Sequence, residues 1–308
     1  MPLPSQAAAV LRGGTMGADV AAIFIAGGWR AAVVEPSRAR WPALRDRVAA
    51  ACRQIGAAPD PARLAVLGSL AEAPWSDLSL VIECVPESLA LKQSVFAELE
   101  RLARPDTPLA SNSSSFPISE IGRGLATRPR MLGLHFFMPA HLVPCVEVVR
   151  GKATDPAVCD AVAITMRGLG KVPVQVRKDV PGFLANRLQH ALMREAFALI
   201  EQGLASPEDV DNAVRFGFGF RYLAAGPILQ KDLSGLDVHA AAATTIYHTL
   251  ANDKAPPACL RDRVAQGKLG VKTGEGFYKW DPERAASAQA HYERALTDAL
   301  VILKRDRS

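Results

Sequence analysis

AAAVLRGGTMGADVAAIFIAGGWRAAVVE, residues 7 to 35, is the stretch from which the fold can be read. Ala7 to Leu11 is an apolar run of strand length, Thr15 to Gly27 has helix length, and Arg30 to Glu35 is a second apolar run rich in β-branched residues. Strand, glycine turn, helix and strand in that order predict a βαβ unit of a parallel sheet. In a dinucleotide-binding unit the turn reads G-x-G-x-x-G. The first Gly makes the tight turn, the second lets the backbone approach a pyrophosphate, and the third packs helix on strand, with the helix N-terminus facing the phosphates. Gly14 and Gly17 take the second and third places around Thr15 and Met16, while Arg12 stands in the first. If that place demands a conformation only Gly adopts easily, Arg12 is strained by about 1–3 kcal/mol. Its bulk would then narrow the cleft, or its charge would pair with the pyrophosphate. Glu35 ends the second strand 21 residues after Gly14 (35 − 14). An acid there accepts the ribose hydroxyls of NAD and repels the 2′-phosphate of NADP, although Ser37 and Arg38 beside it leave room for the latter.

The same alternation continues outward. Ser37 to Gly56 is read as a helix and RLAVLG (63 to 68) as a strand. Further strands are expected at 78 to 83, 107 to 111, 131 to 137 and 172 to 176, with a helix from Ser88 to Arg104. Nearly continuous apolar strands suit a sheet covered on both faces. After Lys178-Asp179-Val180-Pro181-Gly182 the texture turns helical, as in Phe183 to Gln202, His239 to Leu250 and Pro282 to Lys304. The expected fold is therefore α/β: a Rossmann-type, doubly wound, mainly parallel sheet in residues 1–180, then an all-helical C-terminal domain in residues 181–308. With 308 residues, 49% hydrophobic and 22% charged, the chain has material for two such folded domains and is not a disordered protein. No apolar run reaches the ~20 residues that span a bilayer, so no membrane association is expected. The start MPLPSQAAAV lacks a basic stretch followed by an apolar region, and a cytoplasmic protein is expected. Five scattered cysteines without a CxxC spacing argue against a disulfide framework and a metal site. A net charge of +5, spread along the chain, suits anionic small molecules better than nucleic acid.

Three further segments stand at predicted strand ends, where open α/β sheets bind ligands. They are Ser111-Asn112-Ser113-Ser114-Ser115-Phe116, Gly133-Leu134-His135-Phe136-Phe137-Met138-Pro139 and Val146-Glu147-Val148-Val149. Together with Pro181-Gly182-Phe183-Leu184-Ala185-Asn186-Arg187 they resemble the 3-hydroxyacyl-CoA dehydrogenase family, whose pattern reads S-N-T-S, G-x-H-F-F-N-P, V-E-V and K-D-x-P-G-F-x-x-N-R. Glu83 to Glu87 with Lys92, Gly226 to Asp237 and Lys272 to Tyr278 match as well, so the resemblance runs in order along nearly the whole chain.

The resemblance implies an NAD-dependent oxidation of a 3-hydroxyacyl-CoA, or the reverse reduction of a 3-oxoacyl-CoA. His135 matches the catalytic histidine and Glu147 the carboxylate behind it; Ser114 matches the serine on the reacting oxygen, and Asn186 the asparagine that polarises the substrate carbonyl. Hydride removal from an alcohol needs a base for the hydroxyl proton, which suits His, and a carboxylate on its other nitrogen fixes the tautomer. The turn Arg12 to Gly17, Glu35, Glu87, Lys92 and Asn112 fall on the cofactor side, although Lys92 could equally be a surface charge on its helix. His141 and Cys145 are read as having no chemical role. The helical domain implies substrate binding and a homodimer, with Phe183 to Gln202 as the contact. Two departures stand out: the pattern's Asn after H-F-F is Met138, and the lysine before V-E is missing. They leave open a small non-CoA 3-hydroxy acid or a ring-bearing alcohol as substrate, and Arg12 leaves open a non-catalytic dinucleotide-fold binding protein.

Overall fold

The computed structural model describes residues 6–305. Eight strands form one sheet: β1 (Ala7–Leu11), β2 (Arg30–Val34), β3 (Leu64–Leu67), β4 (Leu80–Glu83), β5 (Leu109–Ser111), β6 (Met131–Phe136), β7 (Cys145–Val149) and β8 (Val172–Val176). Their order is β3-β2-β1-β4-β5-β6-β7-β8. The first six strands are parallel, β7 runs antiparallel to β6, and β8 is parallel to β7. The mainly parallel sheet read from residues 7 to 35 is thus present, with β1 third from one edge, between β2 and β4.

The apolar strands are explained by cover on both faces. On one side α1 (Thr15–Ala26), α2 (Trp41–Gln54) and, later in the chain, α5 (Pro156–Gly168) enclose a core containing Val10, Phe24, Val48, Ile82 and Met166. On the other, α3 (Leu89–Leu102) and the single turn α4 (Ile118–Ile121) bring Phe96, Leu99 and Ile121 against Val81 and Leu109. Residues Gly17 to Ile25 of α1 are all buried, which is why this helix has no polar stripe. The helix α5 was not anticipated from the sequence; Asp155 caps it by accepting the Ala157 N–H at 2.9 Å. Because β1, β4, β5 and β6 are parallel, their carboxyl ends share one edge. There stand Arg12, Glu83, Ser111 and His135 or their immediate neighbours.

The chain divides into two compact units, up to Asn186 and from Arg187. The first includes Leu184 and Ala185, whose N–H groups Glu147 of β7 accepts. The second unit is helical, with most of α6 (Ala185–Glu201), then α7 (Pro207–Asn212), a π-helical segment Ala213–Phe218, α8 (Gly219–Arg221), α9 (Pro227–Ser234), α10 (Leu236–Ile246), α11 (Ala258–Ala265) and α12 (Pro282–Arg305). Ser206 and Asp209 form a capping box at the start of α7. Phe197 stacks on Phe277 at 5.4 Å, and the Arg263 guanidinium lies over the same ring at 4.0 Å. Among the described residues no helix is long and apolar enough to cross a membrane.

Candidate active site

The glycine turn is set by its neighbours. Arg12 continues the β1–β2 ladder, donating its N–H to Val34 O at 2.9 Å, and turns with φ of +87°. That is the region in which an L side chain is strained, so the first place of the motif does demand a glycine-like conformation. Gly17 cannot be replaced in this geometry, because a Cβ there would lie 1.8 Å from Arg12 O. Around Gly14 there is open space, and the N–H groups of Thr15, Met16 and Gly17 have no acceptor among the described residues. An open approach over backbone donors at a helix N-terminus is the cradle a pyrophosphate requires. Glu35 is fully buried; its carboxylate accepts the N–H groups of Gly13 at 3.2 Å and Ser37 at 3.0 Å. It therefore holds the turn itself, a role that its spacing from Gly14 did not reveal.

His135 and Glu147 face each other across the antiparallel β6–β7 pair, in direct register. His135 Nδ1 lies 2.7 Å from Glu147 Oε2, and both side chains are buried. Burial alone would raise the Glu147 carboxyl, but the bonds to His135 and to the Ala185 and Leu184 N–H groups hold it below the ordinary carboxylate range. An ionised carboxylate only accepts, so Nδ1 carries the hydrogen and Nε2 of the neutral ring is left as an acceptor. Nε2 has no partner among the described residues. The rings of Phe137 (4.6 Å) and Phe183 (5.7 Å) meet the imidazole edge-on and fix its plane. Phe183, buried and at φ of +50°, was quoted in the sequence as part of a motif without a role of its own.

The loop after β5 is organised by a carboxylate from the loop after β4. Glu87 Oε1 accepts the Ser113 and Ser115 hydroxyls at 2.6 and 2.7 Å, and the N–H groups of Ser114 and Ser115 at 3.2 and 3.0 Å. Burial tends to raise its carboxyl, yet the two hydroxyls and Lys92 bring it below the usual range. The loop thereby turns the Ser114 carbonyl to Asn186, whose Nδ2 donates to it at 3.2 Å, while the Ser114 hydroxyl has no partner among the described residues. Asn112 Oδ1 accepts the Phe136 N–H at 2.8 Å and so fastens this loop beside His135.

Lys92 is not a surface charge. It is 1% exposed and bonds both oxygens of Glu83 at 2.9 and 3.1 Å, the Val85 carbonyl at 3.3 Å and Glu87 at 3.2 Å. Its ammonium is engaged by protein acceptors, and through them it supports Glu87. Glu83, fully buried, also takes the Ser111 hydroxyl at 2.6 Å and was the neglected member of this set. Two acids five and nine residues before a helical lysine were the signal for it.

A second buried network was not visible in sequence. Asp19 on α1 accepts Arg47 Nε at 3.0 Å and the Ala140 N–H at 3.2 Å, with His141 Nδ1 3.2 Å away. Lys171 donates to the carbonyls of Ala140, His141 and Val143. The segment following Met138 is thus clamped from two sides, and His141 serves packing. Burial pushes the Cys145 thiol up to about 11, which leaves it a poor nucleophile at neutral pH.

Comparison with known proteins decides what this arrangement belongs to. Residues 7–180 match the model of the 3-hydroxyacyl-CoA dehydrogenase NAD binding domain, and residues 182–280 that of the same family's C-terminal domain. The chain belongs to the 3-hydroxyacyl-CoA dehydrogenase family. It is an NAD-dependent oxidoreductase of that family. A curated relative, the 3-hydroxybutyryl-CoA dehydrogenase of Mycobacterium tuberculosis, is 36% identical over 89% of this chain and 98% of its own. Another, the 5-formyl-3-hydroxy-2-methylpyridine 4-carboxylate 5-dehydrogenase of Mesorhizobium japonicum, is 36% identical over 74% of each chain. Among solved structures, a 5-formyl-3-hydroxy-2-methylpyridine 4-carboxylic acid 5-dehydrogenase, an NAD+-dependent dismutase, superposes with a TM-score of 0.92 at 31% identity, covering 98% of this chain and 99% of that one. The (S)-3-hydroxybutyryl-CoA dehydrogenase of Ralstonia eutropha gives 0.72 at 29% identity, covering 90% and 100%.

Proposed function

We propose that His135 is the general base of this dehydrogenase, and that its substrate is a compact ring-bearing hydroxy acid or its aldehyde rather than an acyl-CoA. NAD, when bound over Gly14 and Gly17, supplies the hydride acceptor. Nε2 of His135 takes the hydroxyl proton, Glu147 holds the tautomer and stabilises the imidazolium that forms, and the Ser114 hydroxyl bonds the reacting oxygen. Asn186, held at the Ser114 carbonyl, presents its side chain to the substrate's neighbouring carbonyl. The observation that carries the substrate reading is Met138, 62% exposed and three residues past His135, where the acyl-CoA pattern has a polar Asn. An exposed thioether offers an apolar, polarisable wall for a ring face. The full-length likeness to a pyridine-carboxylate dehydrogenase supports it. The acyl-CoA reading is supported in turn by the motifs shared with 3-hydroxybutyryl-CoA dehydrogenases.

The test is an NADH fluorescence titration followed by initial rates on acetoacetyl-CoA and on a panel of aromatic and heteroaromatic hydroxy acids and aldehydes. Micromolar NADH binding is expected, with kcat/KM on the best ring substrate at least tenfold above that on acetoacetyl-CoA. Absence of NADH binding would refute the site, and the opposite ranking would restore the acyl-CoA substrate.

The working form is read as a cytoplasmic homodimer. Five free thiols suit a reducing compartment. From Arg187 onward only Ala196 and Ala198 are buried among the described residues, while Phe216, Phe220, Ile228 and Leu233 are each at least 66% exposed. A unit this poor in core needs a second copy to cover it. Light scattering is expected to give twice 32.9 kDa, and a stable monomer at micromolar concentration would refute the dimer.

A further inference from the structure

Arg12 occupies a left-handed backbone position at no visible gain to the folded chain. The turn leaves it no choice: its N–H is held by Val34 O on one side, and its carbonyl lies against Gly17 on the other. A glycine would adopt φ of +87° freely. Nor does the side chain recover anything by pairing, because among the described residues the guanidinium of this half-buried residue has no carboxylate partner and no aromatic ring beneath it. The nearest acid in the turn, Glu35, is engaged by the Gly13 and Ser37 N–H groups. Strain that is kept without an internal reward points to a role that appears only in a complex.

We propose that Arg12 is a cofactor-binding residue of this chain, its guanidinium pairing with the pyrophosphate of NAD and adding charge to what the backbone cradle supplies. The reading rests on the site assigned above. It follows from position: Arg12 stands two residues before Gly14, where the approach is open, and three before Thr15, where the unpaired N–H groups of α1 begin. Those amides are neutral dipoles, whereas a planar guanidinium meets phosphate oxygens with two parallel, charge-assisted bonds. The strained arginine thus costs stability in the empty protein and returns it as affinity when the dianion arrives.

Arg12→Gly and Arg12→Lys separate the two halves of this claim. Thermal melting without cofactor and NADH titration by fluorescence at low and high salt are measured for each, with adenosine as a probe that lacks the pyrophosphate. R12G is expected to melt higher than the native chain, to bind NADH about 10- to 100-fold more weakly, and to lose part of the salt dependence, with adenosine affinity unchanged. R12K, which keeps both the charge and the strained backbone, is expected to melt as the native chain does and to bind NADH with intermediate affinity. NADH binding by R12G as tight as the native protein's, with the same salt slope, would overturn the role of Arg12 and leave the cofactor site standing. Equal losses for NADH and adenosine would overturn the pyrophosphate contact. Failure of the native chain itself to bind NADH would overturn both this role and the site beneath it.

Discussion

His135→Asn is expected to lower kcat by about 10²–10⁴-fold while leaving NADH affinity and the thermal midpoint close to those of the native enzyme. The substitution is chosen for what it preserves. An asparagine amide can still donate to Glu147 from roughly the place of Nδ1, so the carboxylate is not stranded and the grip of Glu147 on Leu184 and Ala185 is kept. What it removes is Nε2, the imidazole nitrogen without a partner among the described residues, and with it the acceptor for the substrate proton. The cradle at Gly14 and Gly17 belongs to a different turn, on β1, and should not register the change. Steady-state rates with the best substrate, taken beside an NADH titration and a melt, make the check. A kcat within about threefold of the native value would remove His135 from the chemistry, since loss of a positioned base costs far more than that.

How much of this was legible beforehand depends on the kind of signal. The turn was legible because its glycines answer local demands: a Cβ at Gly17 would strike Arg12 O, and the strain assigned to Arg12 from its place in the motif appears as a left-handed backbone. The His135 and Glu147 pair was legible as a motif, but its physical cause was not. Twelve residues separate the two in sequence, and only the reversal of β7 against β6 puts them opposite one another. Lys92 and Asp19 were opaque for a different reason. A lysine or an aspartate on a helix reads as solvated unless its partners are known, and here the partners lie on other elements: Glu83 at the end of β4, and Arg47 and Ala140 from α2 and the loop after β6. Glu35 was placed correctly at its strand end, yet its bonds to Gly13 and Ser37 are made by a carboxylate turning back on its own loop, which spacing cannot encode.

Glu147→Ala is expected to cost at least about 3 kcal/mol of stability at neutral pH, since each of three buried donors left unsatisfied costs about 1–3 kcal/mol, and to reduce turnover along with it. The carboxylate is fully buried and satisfies three donors from two places: the His135 ring on β6 and the Leu184 and Ala185 N–H groups at the entry to α6. Truncation leaves all three facing a void. Glu147→Gln, which keeps the shape and loses the charge, separates the electrostatic part by its pH dependence. Burial opposes ionisation of Glu147, but the bonds from His135 and the two N–H groups outweigh it and lower the folded carboxyl below its unfolded value. A lowered folded value means that the ionised group stabilises the fold above the unfolded carboxylate range, near 4.3, and that this stability is lost as the pH falls through the folded value. The urea midpoint of the native chain should therefore exceed that of E147Q by most at neutral pH, and the gap should close in acid. A gap that stays constant, or widens, between pH 7 and pH 3 would mean that Glu147 holds α6 through its shape alone. The charge behind His135 would then have to be sought elsewhere.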